Sequence, residues 1–135
     1  MDSIWIELYN KAMSKIKVQS ISHFIDIGNI SCAILASDNK IYTGTEILSN
    51  TSINTSAEKN AILNMLNNGV SEIKKIVIIN ELGETIQPHE DSFEYFSLLN
   101  SLENVEVLIN LEEEKVIKLT ELFPSWWGTF RVKEK

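Results

Sequence analysis

The chain has 135 residues, 44% hydrophobic and 23% charged, and its 12 Lys and Arg against 19 Asp and Glu leave a net charge of −7. A chain this long buries roughly two thirds of its unfolded surface in one core and is too short for two ordinary domains, so residues 1–135 are expected to form a single domain. Five Phe, three Trp and three Tyr beside only two Pro exclude a disordered or collagen-like chain. The acidic balance, with no stripe of Lys and Arg, speaks against nucleic acid as a partner.

In chain order, Ile4, Leu8, Ala12 and Ile16 recur at four-residue spacing beside Trp5, Tyr9 and Met13, which predicts an amphipathic helix starting near Asp2 or Ser3. The apolar run Ile30 to Ala36, the turn Ser37-Asp38-Asn39-Lys40 and the strand formers from Lys40 to Glu46 predict a β-hairpin. After a polar loop over Ser49 to Thr55, the spacing of Ala57, Ala61, Ile62, Met65 and Leu66 predicts a second helix over about 56–68, stopped at Asn68-Gly69. Lys75 to Asn80 is a β-branched run suited to a central strand covered on both faces. A third helix is expected over about Ser92 to Leu102, a strand over Val105 to Asn110, and a solvated acidic turn at Leu111 to Glu114. A short strand over Val116 to Leu119 and a terminal helix from Thr120 to Phe123 follow. The order α-β-β-α-β-α-β, with the short C-terminal strand and helix, implies a mixed central sheet between helices.

No apolar run approaches the roughly 20 residues that span a bilayer, and Met1-Asp2-Ser3-Ile4-Trp5 lacks the basic start of a signal peptide. No membrane association and a cytoplasmic location are expected. Cys32, the only cysteine, can form neither an internal disulfide nor a Cys-rich metal site, and inside an apolar strand it reads as a small buried hydrophobe.

Several segments together resemble the cytidine deaminase superfamily, in the small free-nucleoside branch that includes cytidine and blasticidin-S deaminases. Ile30-Ser31-Cys32-Ala33-Ile34-Leu35, Asp38 and Ile41-Tyr42-Thr43-Gly44 are similar to its Val-Gly-Ala-Ala-Leu strand, turn and Tyr-Thr-Gly strand. Ser56-Ala57-Glu58 stands where the family has Cys-Ala-Glu or His-Ala-Glu, and Pro88-His89-Glu90-Asp91-Ser92 where it has Pro-Cys-x-x-Cys. Leu122-Phe123-Pro124 with Trp126-Trp127 resembles its C-terminal ending. The resemblance implies a three-layer α/β/α sandwich, a dimer or tetramer, and a site in which three ligands hold Zn²⁺. The metal acidifies a water that attacks C4 of cytosine, while the Glu two residues after the first ligand shuttles protons.

Here the ligand positions fall on Ser56, His89 and Ser92, one imidazole and two hydroxyls. A serine hydroxyl keeps its proton near neutral pH and is a poor zinc ligand, so no zinc and no other cofactor are expected. The family's ribose-binding Asn-x-Glu is matched by Glu46-Ile47-Leu48, and the position of its stacking Phe by Gly28, leaving Phe24 or His23 to approach from a shifted loop. Glu46, Phe24 and Trp127 are the candidate ligand-binding residues. Glu58 alone keeps the family's catalytic identity, and it also fits a capping box Thr55-x-x-Glu58, as Glu94 fits one with Asp91. Ser56 and Ser92 are expected to cap their helices and hydrogen-bond across the gap that a metal would fill.

Two readings follow. The first is a catalytically inactive deaminase-like protein with a binding or interaction role and a small nucleoside-like ligand. The second is an active hydrolase acting on a cytidine-like or other aminated heterocycle, with Glu58 as proton shuttle and a non-standard metal site around His89, a one-histidine carboxylate site for Mn²⁺ or Fe²⁺ with Glu58, Glu90 and Asp91 nearby. A third role, as a subunit beside an active paralogue, rests on adjacent Trp126 and Trp127, which cannot share one core face and suit an oligomer contact.

Overall fold

The structure, a computed structural model, describes residues 2–50, 54–88, 92, 95–96, 99 and 102–122. The first helix, α1 (Ser3–Met13), buries Trp5, Leu8 and Ala12, the stripe read from the sequence. Three strands follow: β1 (Gln19–Ser22), β2 (Ile25–Ala36) and β3 (Ile41–Ser49). The expected hairpin is β2–β3. Its turn needs a left-handed residue, supplied by Asn39 at φ 65°. Asp38 accepts from the Lys40 amide at 3.0 Å and from the Tyr42 hydroxyl at 2.6 Å.

The sequence reading has no counterpart of β1, and β2 starts five residues before the predicted Ile30. All four residues of β1 are exposed, so no apolar alternation marks it; it is held by pairing, with Gln19 opposite Ile27 and Ser20 opposite Asp26. Gly28 explains how the chain doubles there. Its φ is +92°, a β-carbon on it would come within 2.0 Å of the Lys17 carbonyl oxygen, and the β2–β3 register shifts between Ile27 and Ser31.

Beyond β3 come α2 (Ala57–Asn67), β4 (Ile73–Asn80), β5 (Glu106–Asn110), β6 (Lys115–Lys118) and a final turn of helix, α3 (Leu119–Leu122). The acidic segment 111–114 is a turn, as expected. The last strand and helix each start one residue earlier than predicted, because the amide of buried Leu119 donates to Val105 at 2.8 Å and draws the chain back toward the core. Of the helix expected over 92–102, Tyr95 and Phe96 are helical and Leu102–Asn104 is a 3₁₀ turn; the remainder lies outside the described residues. Phe123, Pro124, Trp126 and Trp127 also lie outside them.

The strands make one mixed sheet in which β2 pairs antiparallel with β3 on one edge and with β1 and then β4 on the other; β4 pairs parallel with β5, and β5 antiparallel with β6. Strand alternation sends Ala33, Leu35, Val77, Ile79 and Leu108 to the face covered by α1. Cys32, Ile34, Ile76, Ile78 and Val107 face α2, where Ala57, Ala61, Ile62 and Met65 meet them beside Phe96 and Leu99. Helices on both faces give the three layers expected and make β4 a central strand. No helix among the described residues is long and apolar enough to cross a membrane.

Candidate functional site

The site is built where α2 begins. After β3, the Ile47 and Thr55 backbones exchange two 2.9 Å hydrogen bonds, so Thr55 is still in extended pairing and the helix must start after it. Ser56 is therefore the N-cap, with φ −70° and ψ 158°, and its Oγ accepts from the Lys59 amide at 3.2 Å. This corrects the capping box read from the sequence: Ser56 replaces Thr55 as cap, and Glu58 stands at the second helical position. Its carboxylate, in the first turn, favours the positive end of the helix.

Helix and sheet approach closely here. A β-carbon on Gly44 would lie 2.3 Å from the Ala61 amide nitrogen and 2.7 Å from the Ala57 carbonyl oxygen. The Asn60 side-chain amide donates to the Thr45 carbonyl at 2.7 Å and fixes the helix along β3.

The structure brings together Ser56, Ser92 and Glu58. The Ser56 and Ser92 hydroxyl oxygens are 3.1 Å apart, the cross-gap hydrogen bond that was expected, and Ser92 is fully buried. Each hydroxyl has one proton, and Ser56 already accepts from an amide, so whichever serine donates, the pair keeps one further proton to give. Glu58 is 3% exposed. It faces the floor of the site, where Cys32 is fully buried, and burial first, then the Glu58 charge, push the thiol well above its usual range. Beside them the Lys59 ammonium lies 5.3 Å from the centre of the Tyr95 ring.

Other candidates lie apart or beyond reach. Glu46 is half-buried on β3, two residues from Gly44 and so on the same face, while Leu48 is more open at 37% exposure. Phe24 stands in the turn before β2, 60% exposed, its ring 6.2 Å from that of His23. It is separated from Cys32 by roughly 25 Å of extended strand. The Lys17 backbone leaves no room for a side chain at Gly28, the position that the resemblance aligns with the family's stacking Phe. His89, Glu90, Asp91 and Trp127 lie outside the described residues.

The donor set at the two described ligand positions does not fit zinc. Zinc takes imidazole, thiolate or carboxylate, whereas here two neutral hydroxyls hold each other and one also accepts from an amide. Among the described residues no group of three or more His, Cys, Asp or Glu converges on one point.

With this geometry, the class of fold is a cytidine deaminase-like mixed sheet flanked by helices. Among solved structures, the chain is similar to a cytidine deaminase from Bacillus anthracis, with TM-score 0.73 and 21% identity over 97% of this chain and 94% of that one. It is also similar to one from Mycobacterium leprae, with TM-score 0.72 and 16% identity over 92% and 100% of the two chains. A third, from Burkholderia pseudomallei, gives TM-score 0.65 and 21% identity over 93% and 98%. No protein-family model matches the sequence, and no curated protein matches it significantly.

Sequence reasoning named Ser56, Ser92 and Glu58 but missed Asn60, Lys59 and Tyr95. Asn60 and Lys59 follow Glu58 on the first turns of α2, so helix geometry from the Ser56 cap would have placed them at the site.

Proposed function

We propose that this chain is a deaminase-fold protein that does not carry out zinc-dependent hydrolysis, and that its site binds a small, polar, nucleoside-like molecule. The observation that carries this reading is the Ser56–Ser92 hydroxyl pair at 3.1 Å, which puts two mutually engaged neutral groups where the chemistry needs proton-shedding metal ligands. The buried Glu58 in the first turn of α2 and the remaining hydroxyl proton of the pair give the site an acidic and a hydroxyl group for such a ligand. We place the protein in the cytoplasm as a homodimer or homotetramer, a state that light scattering would measure.

The test is metal content by elemental mass spectrometry on protein purified without a metal-affinity tag, combined with ammonia release from cytidine and a thermal-shift screen of nucleosides and bases. The reading expects no stoichiometric metal, no ammonia and a shift with at least one nucleoside. One metal per chain, lost in His89→Ala, together with ammonia release that Glu58→Gln abolishes, would establish the rival hydrolase. The observation favouring that rival is Glu58 itself, buried in the first turn of α2, which the resemblance aligns with the family's proton shuttle.

A further inference from the structure

We infer that the Ser56–Ser92 pair is a metal-independent clasp that fastens the start of α2 to the segment carrying Ser92, in the position where the resembling family places its metal. The inference rests on the reading above and extends it from what the site does not catalyse to what its serines do.

Ser56 and Ser92 are 36 residues apart in sequence, one before α2 and the other after β4, so their contact closes a long loop. Both partners are tied into structure on either side. Ser56 caps an 11-residue helix through the Lys59 amide, and α2 is fixed to β3 by Asn60 and by the close approach at Gly44. Ser92 is fully buried, with buried Phe96 and Leu99 following it in the core cluster shared with α2. A buried hydroxyl left without a partner costs more than the hydrogen bond itself contributes, so the fully buried Ser92 depends on Ser56, while half-buried Ser56 keeps the Lys59 amide as a second partner. The nearby Lys59–Tyr95 contact joins the same two segments a second time, on the outer side of the clasp. A zinc-bound arrangement would need the two serine oxygens to give up their mutual hydrogen bond. The fold is therefore expected to neither gain from nor require a metal at this point.

The experiment uses the full chain in two arms. In the first, the melting temperature of the wild type is read with a chelator and with added Zn²⁺; the clasp requires no change in either. In the second, Ser56→Ala, Ser92→Ala and the double variant form a cycle. Each single variant is expected to melt about 2–5 °C lower, and the double variant to fall well short of the sum, because either change alone breaks the shared bond. In Ser92→Ala the Lys59 amide should keep its hydrogen-exchange protection, since Ser56 still caps it; if Ser56→Ala does not fold, that measurement and the melting of Ser92→Ala carry the test. Strictly additive losses, or an unchanged melting temperature in Ser92→Ala, would overturn the clasp while leaving the non-hydrolytic reading in place. A wild type that melts lower with chelator and releases ammonia from cytidine would overturn both.

Discussion

Replacing Gly44 by alanine tests whether the site depends on the contact of α2 with β3. The added methyl would meet three backbone atoms: the Ala61 nitrogen at 2.3 Å, the Ala57 carbonyl oxygen at 2.7 Å and the Asn60 carbonyl carbon at 2.7 Å. None belongs to a side chain that could rotate away, so α2 must retreat from the sheet by about 1 Å to restore van der Waals contact. Overpacking of this kind costs about 1–3 kcal/mol, and three rigid contacts place this case near 3 kcal/mol. At about 2.1 cal/mol/K per residue, 135 residues have an unfolding entropy near 0.28 kcal/mol/K, so the melting temperature should fall by about 11 °C. Because the retreating helix carries Ser56, the Lys59 amide should also lose hydrogen-exchange protection. Gly69→Ala is the control. It meets nothing within 4 Å and suffers only from its φ of +79°, so it should cost about 1–2 kcal/mol and leave Lys59 protected. Adding Ala61→Gly to Gly44→Ala should rescue nothing, since the clash is with backbone. A fall of under about 3 °C, or rescue by Ala61→Gly, would refute the reasoning.

Ser31 Oγ is buried with no hydrogen-bond partner among the described residues, so Ser31→Ala should leave stability unchanged or raise it by about 1 kcal/mol, read by urea unfolding; a loss above 1 kcal/mol would reveal a partner. Cys32, fully buried with its thiol pushed up by burial and then by Glu58, should not react with a disulfide reagent at pH 8 in the native chain and should react fully in guanidinium; rapid native reaction would contradict its packing. Because the folded pKa of this thiol is raised, its contribution to stability is complete below the unfolded value of about 8.5 and declines as the pH rises above it. Asp38 is held below the usual carboxylate range chiefly by the Tyr42 hydroxyl, then by the Lys40 amide and charge. Its contribution is therefore present above about pH 4 and lost as the pH falls through the lowered folded value. The melting gap between wild type and Tyr42→Phe, open at pH 7, should narrow on acidification below pH 4; a constant gap would place the effect in packing alone.

Elements whose apolar residues repeat along one face were legible in the sequence. Trp5, Leu8 and Ala12 mark α1 by their helical period, and Ile76 to Ile79, filling both faces of β4, mark it as a short continuous β-branched run. β1 was not legible because Gln19, Ser20, Ile21 and Ser22 are all exposed and owe their conformation to pairing with β2. The early start of β2 was hidden for a related reason. Gly28 reads as a strand breaker, yet it supplies the positive φ that lets the strand continue past Lys17. At the site, the identity of the cap depended on a contact that no local rule contains. Thr55 and Ser56 are both good caps, and the backbone bridge from Thr55 to Ile47 on β3 selects Ser56.

The same long-range logic bears on how the fold would stand with the serine pair and no metal at this site. A structural zinc site can contribute about 10–16 kcal/mol to folding, whereas one hydroxyl–hydroxyl bond contributes about 1 kcal/mol, so the serine pair does not replace a metal energetically. What it can replace is position, since it keeps the buried Ser92 hydroxyl satisfied and holds α2 in register against Ser92. The stability has to come from the apolar cluster beneath it. Ile34, Ile62, Met65, Ile76, Ile78 and Phe96 are all fully buried there, and at about 1.5–3 kcal/mol each they supply about 9–18 kcal/mol, the same order as a structural metal. It follows that trimming this core should hurt more than breaking the clasp. Ile62→Ala is expected to cost about 2–5 kcal/mol, against about 1 kcal/mol for Ser92→Ala. The reverse ranking in urea unfolding would mean that the site holds the fold together and the core does not.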